Sequence, residues 1–100
     1  MADRDAQASV SGPYFDPRAQ REAVSAAERM LRAFLKGRRE LAEELAGKVE
    51  ELDGLGNYSA AVAVVREWLT AAEPGVPDPE LVGGMAAALA GDPLASLLGN

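Results

Sequence analysis

The sequence predicts an all-α fold, in which a long N-terminal amphipathic helix is followed by a mid-chain glycine turn, a second helix and a short third helix. Apolar residues recur at three- and four-residue spacing along most of the chain, which is the period of a helix. No stretch alternates apolar and polar residues as a half-buried strand would. Three Asp-Pro pairs, at residues 16–17, 78–79 and 92–93, each combine an N-capping side chain with a proline at the first helical position. These observations predict a helical hairpin or a small helical bundle.

The composition excludes most catalytic chemistry. The chain has 100 residues, no histidine and no cysteine, which rules out zinc frameworks of these ligands, thiol nucleophiles, Ser-His-Asp triads and haem or iron–sulfur ligation. Neither glycine pair is followed by the Lys-Ser or Lys-Thr of a phosphate-binding loop. The clustered carboxylates fall on or near the exposed side of the first predicted helix; they are Glu40, Glu43, Glu44, Glu50, Glu51 and Asp53. We therefore expect no enzymatic activity, no metal and no cofactor.

The first 16 residues are small and polar and lack periodicity, so they predict a flexible N-terminal arm before a single helical domain at residues 17–100. Within the arm, Phe15 is expected to pack on the first turns of the helix that Asp16 caps. The acidic start does not resemble a cleavable signal peptide. The weakly apolar stretch at residues 81–91 is shorter than the about 20 residues of a spanning helix. We expect a cytoplasmic protein, or one exported without a cleavable signal.

The first predicted helix covers residues 17–52. Val24, Leu31 and Leu45 share one heptad position, and further apolar residues widen the stripe. Gly37 and Gly47 each weaken a helix by roughly 1 kcal/mol relative to alanine, which the continuous periodicity is expected to outweigh. The main alternative is a bend at Gly37 that produces a compact bundle.

A glycine turn is predicted at residues 53–57, near the middle of the chain. Gly54 or Gly56 can take the left-handed conformation that ends a helix, and Asn57 or Ser59 can cap the next one. The other predicted elements are a second helix at 58–73, a third helix at 79–90 and a short turn at 93–98.

The predicted helix lengths indicate association with another chain. The first helix would be roughly 52 Å long and the second about 24 Å, so a simple hairpin leaves much of the apolar seam uncovered. Chains of this size also bury a small fraction of their surface. We expect a protein partner, either a second copy or another helical chain. The residues expected to form this seam are Leu31, Phe34, Leu41, Leu45, Val65 and Trp68, and Trp68 is either a core residue or an interface anchor.

A line of basic residues lies opposite the apolar stripe of the first predicted helix. It is a candidate anion-binding strip for an acidic partner, nucleic acid or anionic lipid. The favoured explanation is a solvated face on which Glu28 pairs with Arg32, Lys36 with Glu40 and Arg39 with Glu43. Nucleic acid is not the expected partner, because the chain has a net charge of −6 and no aromatic residue interleaves with the strip. The strip consists of Arg29, Arg32, Lys36 and Arg39.

The chain of 100 residues has no cysteine and combines two predicted amphipathic helices with a glycine-containing turn between them. It resembles the small Trp-x-Gly helical-hairpin proteins of actinobacterial type VII secretion over residues 17–73. The Trp-x-Gly tripeptide is absent, and the acidic residue of the export motif is replaced by Val62 after Tyr58 and by Arg18 after Tyr14. The resemblance implies a paired, secreted or secretion-associated protein with no catalytic residues.

The expected function is therefore that of a helical protein–protein interaction module that pairs through its apolar seam. The alternative is a small accessory component of a larger assembly, such as a phage or compartment particle. In that alternative, the tail at residues 81–98 would dock on a scaffold.

Overall fold

The computed structural model describes residues 16–71 and 75–99, and this part of the chain is a small all-α bundle, which confirms the predicted fold class. The arm predicted at residues 1–16, including the Phe15 contact, lies outside the described residues except for Asp16. The elements are α1 (Pro17–Leu35), α2 (Arg39–Leu52), α3 (Ser59–Leu69), α4 (Pro79–Ala88), a 3₁₀ turn (Pro93–Ala95) and α5 (Ser96–Gly99).

All three Asp-Pro pairs start a helical element as predicted. Asp16, Asp78 and Asp92 have extended backbones, and each carboxylate accepts a hydrogen bond of 2.8–3.0 Å from a backbone N–H two or three residues later. The following proline occupies the first turn, where its missing N–H removes no helical hydrogen bond. These starts depend only on neighbouring residues, so the sequence alone determines them.

The prediction of one helix over residues 17–52 is wrong, and the alternative bend at Gly37 is the observed structure. α1 ends at Leu35, residues 36–38 turn the chain, and α2 runs back along α1. Gly37 has a φ of +74°, a left-handed conformation that glycine adopts without steric cost. Folding back buries the apolar faces of both segments against each other, whereas a straight helix would leave much of them in water.

The linker after α3 contacts this turn directly. A Cβ atom added to Gly37 would lie 2.8 Å from the carbonyl carbon of Gly75 and 2.9 Å from the nitrogen of Val76. Two backbone segments that are distant in sequence therefore meet without an intervening side chain. Position 37 requires glycine for both its φ angle and this close approach.

The core lies between α1, α2 and α3 and is closed at one edge by α4 and the C-terminal tail. Met85 and Leu89 are buried at this edge, and leucines of the tail pack against the same cluster. α5 also contacts α1, so the tail returns to the first helix. The largest fully buried side chains are Trp68, Phe34, Met30, Leu31, Met85, Val49 and Val65.

The start of α3 differs from the prediction. Neither Asn57 nor Ser59 caps the helix, because the N-cap residue is Tyr58 and its side chain makes no capping bond. The carboxylate of Asp53 instead accepts hydrogen bonds from the backbone N–H groups of Asn57 (3.1 Å) and Tyr58 (2.8 Å). Gln20 of α1 donates a third bond to the same carboxylate at 2.9 Å. Asp53 thus fixes the turn and ties it to α1.

The later helices are slightly shorter than predicted. α3 ends at Leu69 rather than at residue 73, and α4 ends at Ala88 rather than at residue 90. The φ of Gly56 is +70°, which confirms the left-handed glycine expected in the mid-chain turn. The tail predicted as a turn at 93–98 consists of the 3₁₀ turn and α5.

Candidate partner-binding surface

The predicted seam forms the interior of this chain. Leu31, Phe34, Val65 and Trp68 are at most 2% exposed, and Leu45 is 6% exposed. Leu41 is partly buried and packs at the edge of the same cluster. The apolar contacts expected with a partner are therefore made between α1, α2 and α3. This corrects the assignment of Leu31, Phe34, Val65 and Trp68 to a partner surface, because a folded chain cannot offer these buried side chains to another protein.

Trp68 is a core residue with three specific contacts. Its ring packs edge-to-face on Phe34, with centroids 5.2 Å apart and planes at 85°. Its Nε1 donates a hydrogen bond to the carbonyl oxygen of Gly75 at 3.2 Å. The guanidinium carbon of Arg39 lies 5.4 Å from the ring centroid, within cation–π range. Trp68 thereby connects the end of α3 to α1, to α2 and to the following linker.

Arg39 does not belong to the basic strip. It is the first residue of α2, and its guanidinium donates hydrogen bonds to the backbone carbonyls of Trp68 and Leu69 at the end of α3. A longer bond of 3.4 Å reaches the carbonyl of Ala71. A cation at a helix C-terminus satisfies free carbonyls and interacts favourably with the helix dipole. Arg39 is therefore a structural clamp between α2 and α3, which the prediction of one continuous helix could not reveal.

Arg29 and Arg32 remain on one exposed line of α1, which Lys36 continues at the C-cap, and Arg38 joins them from the turn. These four basic residues line a surface depression of about 220 Å³, together with Ala33 and Leu41. Among the described residues no carboxylate lines this depression. Of the ion pairs proposed from the sequence, the structure contains Glu28–Arg32, at 2.8 Å. This pair is solvent-exposed, so its contribution to stability is small.

Two further depressions, of about 380 and 210 Å³, continue along the same side of the α1–α2 pair. Arg29 borders all three depressions, Leu41 and Leu45 each border two, and Leu52 contributes to the last. We call this continuous surface the outer groove. Its polar walls also include Glu22, Ser25, Glu44, Lys48 and Glu51.

The outer groove lies on the side of α2 that faces away from α3. α2 contacts α3 through Arg39 and through Glu50, which forms an exposed 2.6 Å ion pair with Arg66. Helical periodicity places Leu41, Leu45 and Lys48 on the other flank of α2. Gly47 is exposed beside this flank, and a Cβ added there would meet nothing within 4 Å. The described helices therefore leave the groove uncovered.

A polar cluster joins α1, the mid-chain turn and the tail. Tyr58 is 4% exposed, and burial together with the nearby carboxylate of Asp92 raises its pKa to about 12. Gln20 donates its amide to Asp53, while its Oε1 atom is buried and has no hydrogen-bond partner among the described residues. The carboxylate of Asp53 accepts hydrogen bonds from Gln20 and from the backbone of Tyr58, so the cluster ties the mid-chain turn to α1.

The described residues contain no group of three or more acidic side chains arranged to hold a metal ion. None of the helices in the described ranges is long and apolar enough to span a bilayer.

Comparisons with known proteins do not identify a family. No protein-family model matches the chain, and neither a curated protein nor a solved structure shows significant similarity to it. The resemblance to the Trp-x-Gly proteins of type VII secretion remains a prediction from the sequence.

Proposed function

We propose that this chain is a non-catalytic helical interaction module that binds a protein partner through the outer groove of the α1–α2 pair. One observation carries the proposal: the chain uses most of its predicted seam to fold, yet the described residues leave uncovered a continuous groove with an apolar floor. The partner surface is therefore the outer groove rather than the seam. The proposal keeps the pairing with a protein partner that the sequence predicts, and moves it from the seam to the outer groove.

The dimensions of the groove suit a helical partner. It extends from Glu22 on α1 to Lys36 at the C-cap of this helix, which corresponds to about 21 Å of helix axis. A partner helix of about 14 residues has this length. Binding of an amphipathic helix in a groove between two helices is a common recognition mode, in which apolar side chains enter the depressions along the floor.

The alternative role as a component of a larger assembly receives less support. It relies on docking of the tail at residues 81–98 on a scaffold. In the structure Leu94, Leu97 and Leu98 pack against the core of this chain, and α5 contacts α1. A tail that completes the chain's own core is poorly suited to docking elsewhere.

A photo-crosslinking experiment tests the proposed surface. The photoreactive residue p-benzoylphenylalanine is introduced at Gly47, where the surface beside the groove is open, and the full chain is irradiated in the producing cell. The control places the same residue at Gly83, an exposed position of α4 with equally open surroundings. We expect a discrete crosslinked protein for Gly47 and none for Gly83. Equal crosslinking at both positions, or none at Gly47, would refute the groove as the partner surface.

A further inference from the structure

The two ends of the outer groove differ in charge. At the end near the α1–α2 turn, Arg29, Arg32, Lys36 and Arg38 surround the floor formed by Ala33 and Leu41, and no described carboxylate lines that depression. Arg32 is paired with Glu28 at 2.8 Å, and the other three cations produce a positive potential that attracts carboxylates. The turn end of the groove is therefore complementary to a block of acidic residues.

The far end of the groove has a mixed charge. Glu22, Glu44 and Glu51 line its walls, accompanied by Lys48 and by Arg29, which borders all three depressions. A uniformly charged polyanion lying along the groove would meet these carboxylates and be repelled. The described residues that line the groove include no aromatic side chain on which a base could stack. The charge distribution therefore favours a ligand that is acidic at one end over nucleic acid or an anionic bilayer.

The shape of the groove argues against pairing with a second copy. Its bottom and rim carry the small residues Ala26, Ala33 and Gly47, and Leu45 is 6% exposed. The surface therefore contains depressions and few projecting apolar side chains. Two concave faces pressed together leave voids, which forfeit the packing contacts that stabilise an interface. The occupant must supply the projecting side chains itself.

From these observations we infer that the groove binds an amphipathic helix of a different protein, with apolar side chains projecting into the depressions and acidic residues at the end beside the α1–α2 turn. The inference rests on the proposed function and specifies the chemistry of the partner. The acidic block lies against Arg29, Arg32, Lys36 and Arg38. The apolar side chains contact Leu41, Leu45 and Leu52.

A displayed library of amphipathic helices tests the inference. Each helix has about 15 residues, fixed apolar positions at helical spacing, and polar positions that vary among Asp, Glu, Lys, Arg, Gln and Ser. The library is selected against the full chain, and the enriched sequences are synthesised as peptides. We expect Asp and Glu to be enriched at one end of the selected helices and not at the other.

Two variants locate the binding surface. Replacing Lys36 and Arg38 together by glutamate should weaken binding of the selected peptide at least about tenfold and reduce its salt dependence. Arg21→Glu is the matched control, because Arg21 is an exposed cation of α1 that lines none of the three depressions. Its effect on affinity should be less than about threefold. The far-ultraviolet circular dichroism of each variant establishes that it is folded.

Several results would overturn the inference. The selected helices could lack an acidic end, or the selection could enrich no helix at all. Binding of the selected peptide could also be unaffected when Lys36 and Arg38 are replaced by glutamate. Tighter binding of a duplex oligonucleotide than of the peptide, measured at two salt concentrations, would assign the basic end to nucleic acid instead. A dimer by light scattering that these reversals dissociate would assign the groove to a second copy. Crosslinking at Gly47 reports on the groove independently, so a partner captured there that lacks an acidic helix would overturn the inference alone.

Discussion

Substituting Gly37 by alanine should destabilise the protein by about 2 kcal/mol. A left-handed backbone costs a residue with a Cβ atom about 1–2 kcal/mol, and φ at Gly37 is +74°. The new Cβ atom would also lie 2.8 Å from the carbonyl carbon of Gly75, so the linker must move. That movement weakens the hydrogen bond from Trp68 to Gly75, worth about 1 kcal/mol. Reduced entropy of the unfolded chain recovers about 0.4–1 kcal/mol.

Gly47→Ala is the matched control and should have the opposite sign. Gly47 is an interior residue of α2, and a Cβ added there meets nothing within 4 Å. Alanine at an exposed helix position is about 1 kcal/mol more favourable than glycine. Urea unfolding followed by circular dichroism measures both free energies. For a domain of this size, the midpoint temperature should fall by about 8–16 °C for Gly37→Ala and rise by about 4–8 °C for Gly47→Ala.

The two substitutions together distinguish the bundle from one continuous helix. In a helix spanning residues 17–52, both glycines would be interior helical residues, and both alanine variants would be stabilised by about 1 kcal/mol. Stabilisation by Gly37→Ala would therefore refute the turn at residues 36–38 and the contact with Gly75. A destabilised Gly47→Ala variant would contradict the open surroundings assigned to that position.

Three further predictions concern the clamp, the buried tyrosine and α4. Arg39→Ala should lower the free energy of unfolding by about 1–2 kcal/mol, because charged hydrogen bonds to the end of α3 are lost. The exposed control Arg32→Ala should change this free energy by less than about 0.5 kcal/mol. Equal effects of the two substitutions in urea unfolding would argue against the clamp. Because folding raises the pKa of Tyr58 from 10.0 to about 12, its stabilising contribution is fully present below pH 10 and is lost as the pH rises through 12. The loss should be on the order of 2 kcal/mol, and Tyr58→Phe should unfold with a weaker pH dependence over that range; an unchanged dependence would show that other groups cause it. Gly83→Ala should raise the midpoint of thermal unfolding, since a Cβ there meets nothing within 4 Å in α4, and a lower midpoint would mean that α4 packs more closely than described.

The helix starts could be predicted because their causes are local. An aspartate followed by a proline fixes both a hydrogen-bond acceptor and a helical φ angle within two residues. The structure has a helical element at each of the three pairs. The all-α class follows equally directly, since helical periodicity spans most of the chain and requires no knowledge of distant contacts.

The break at Gly37 could not be assigned firmly from the sequence because its cause is tertiary. Locally, the glycine costs about 1 kcal/mol, which several turns of amphipathic helix easily tolerate. The apolar pattern is compatible with both structures, since each half presents an apolar face whether the chain is straight or folded back. Packing of α1 against α2 and the approach of Gly75 decide the outcome, and they involve residues far apart in sequence.

The candidate site, too, could be predicted where its cause is local and not where its cause is tertiary. The basic residues Arg29, Arg32 and Lys36 were predicted as one line, because they share a face of a single helix. Arg38 takes its place beside them, and Arg39 leaves the line for the end of α3, because the chain turns between the two helices. The sequence contains these side chains but does not indicate which carbonyls or cations will be their neighbours.

The short connection between α1 and α2 has a consequence for the order of folding. Contacts between helices separated by residues 36–38 close a small loop, for which the entropic cost is low. Proteins rich in such local contacts fold quickly, while contacts of greater sequence separation form more slowly. Trp68 and Gly75 can meet the turn at Gly37 only after a longer loop has closed. Both walls of the outer groove thus come from the pair of helices with the lowest loop-closure cost, and during synthesis this pair leaves the ribosome before α4 and the tail.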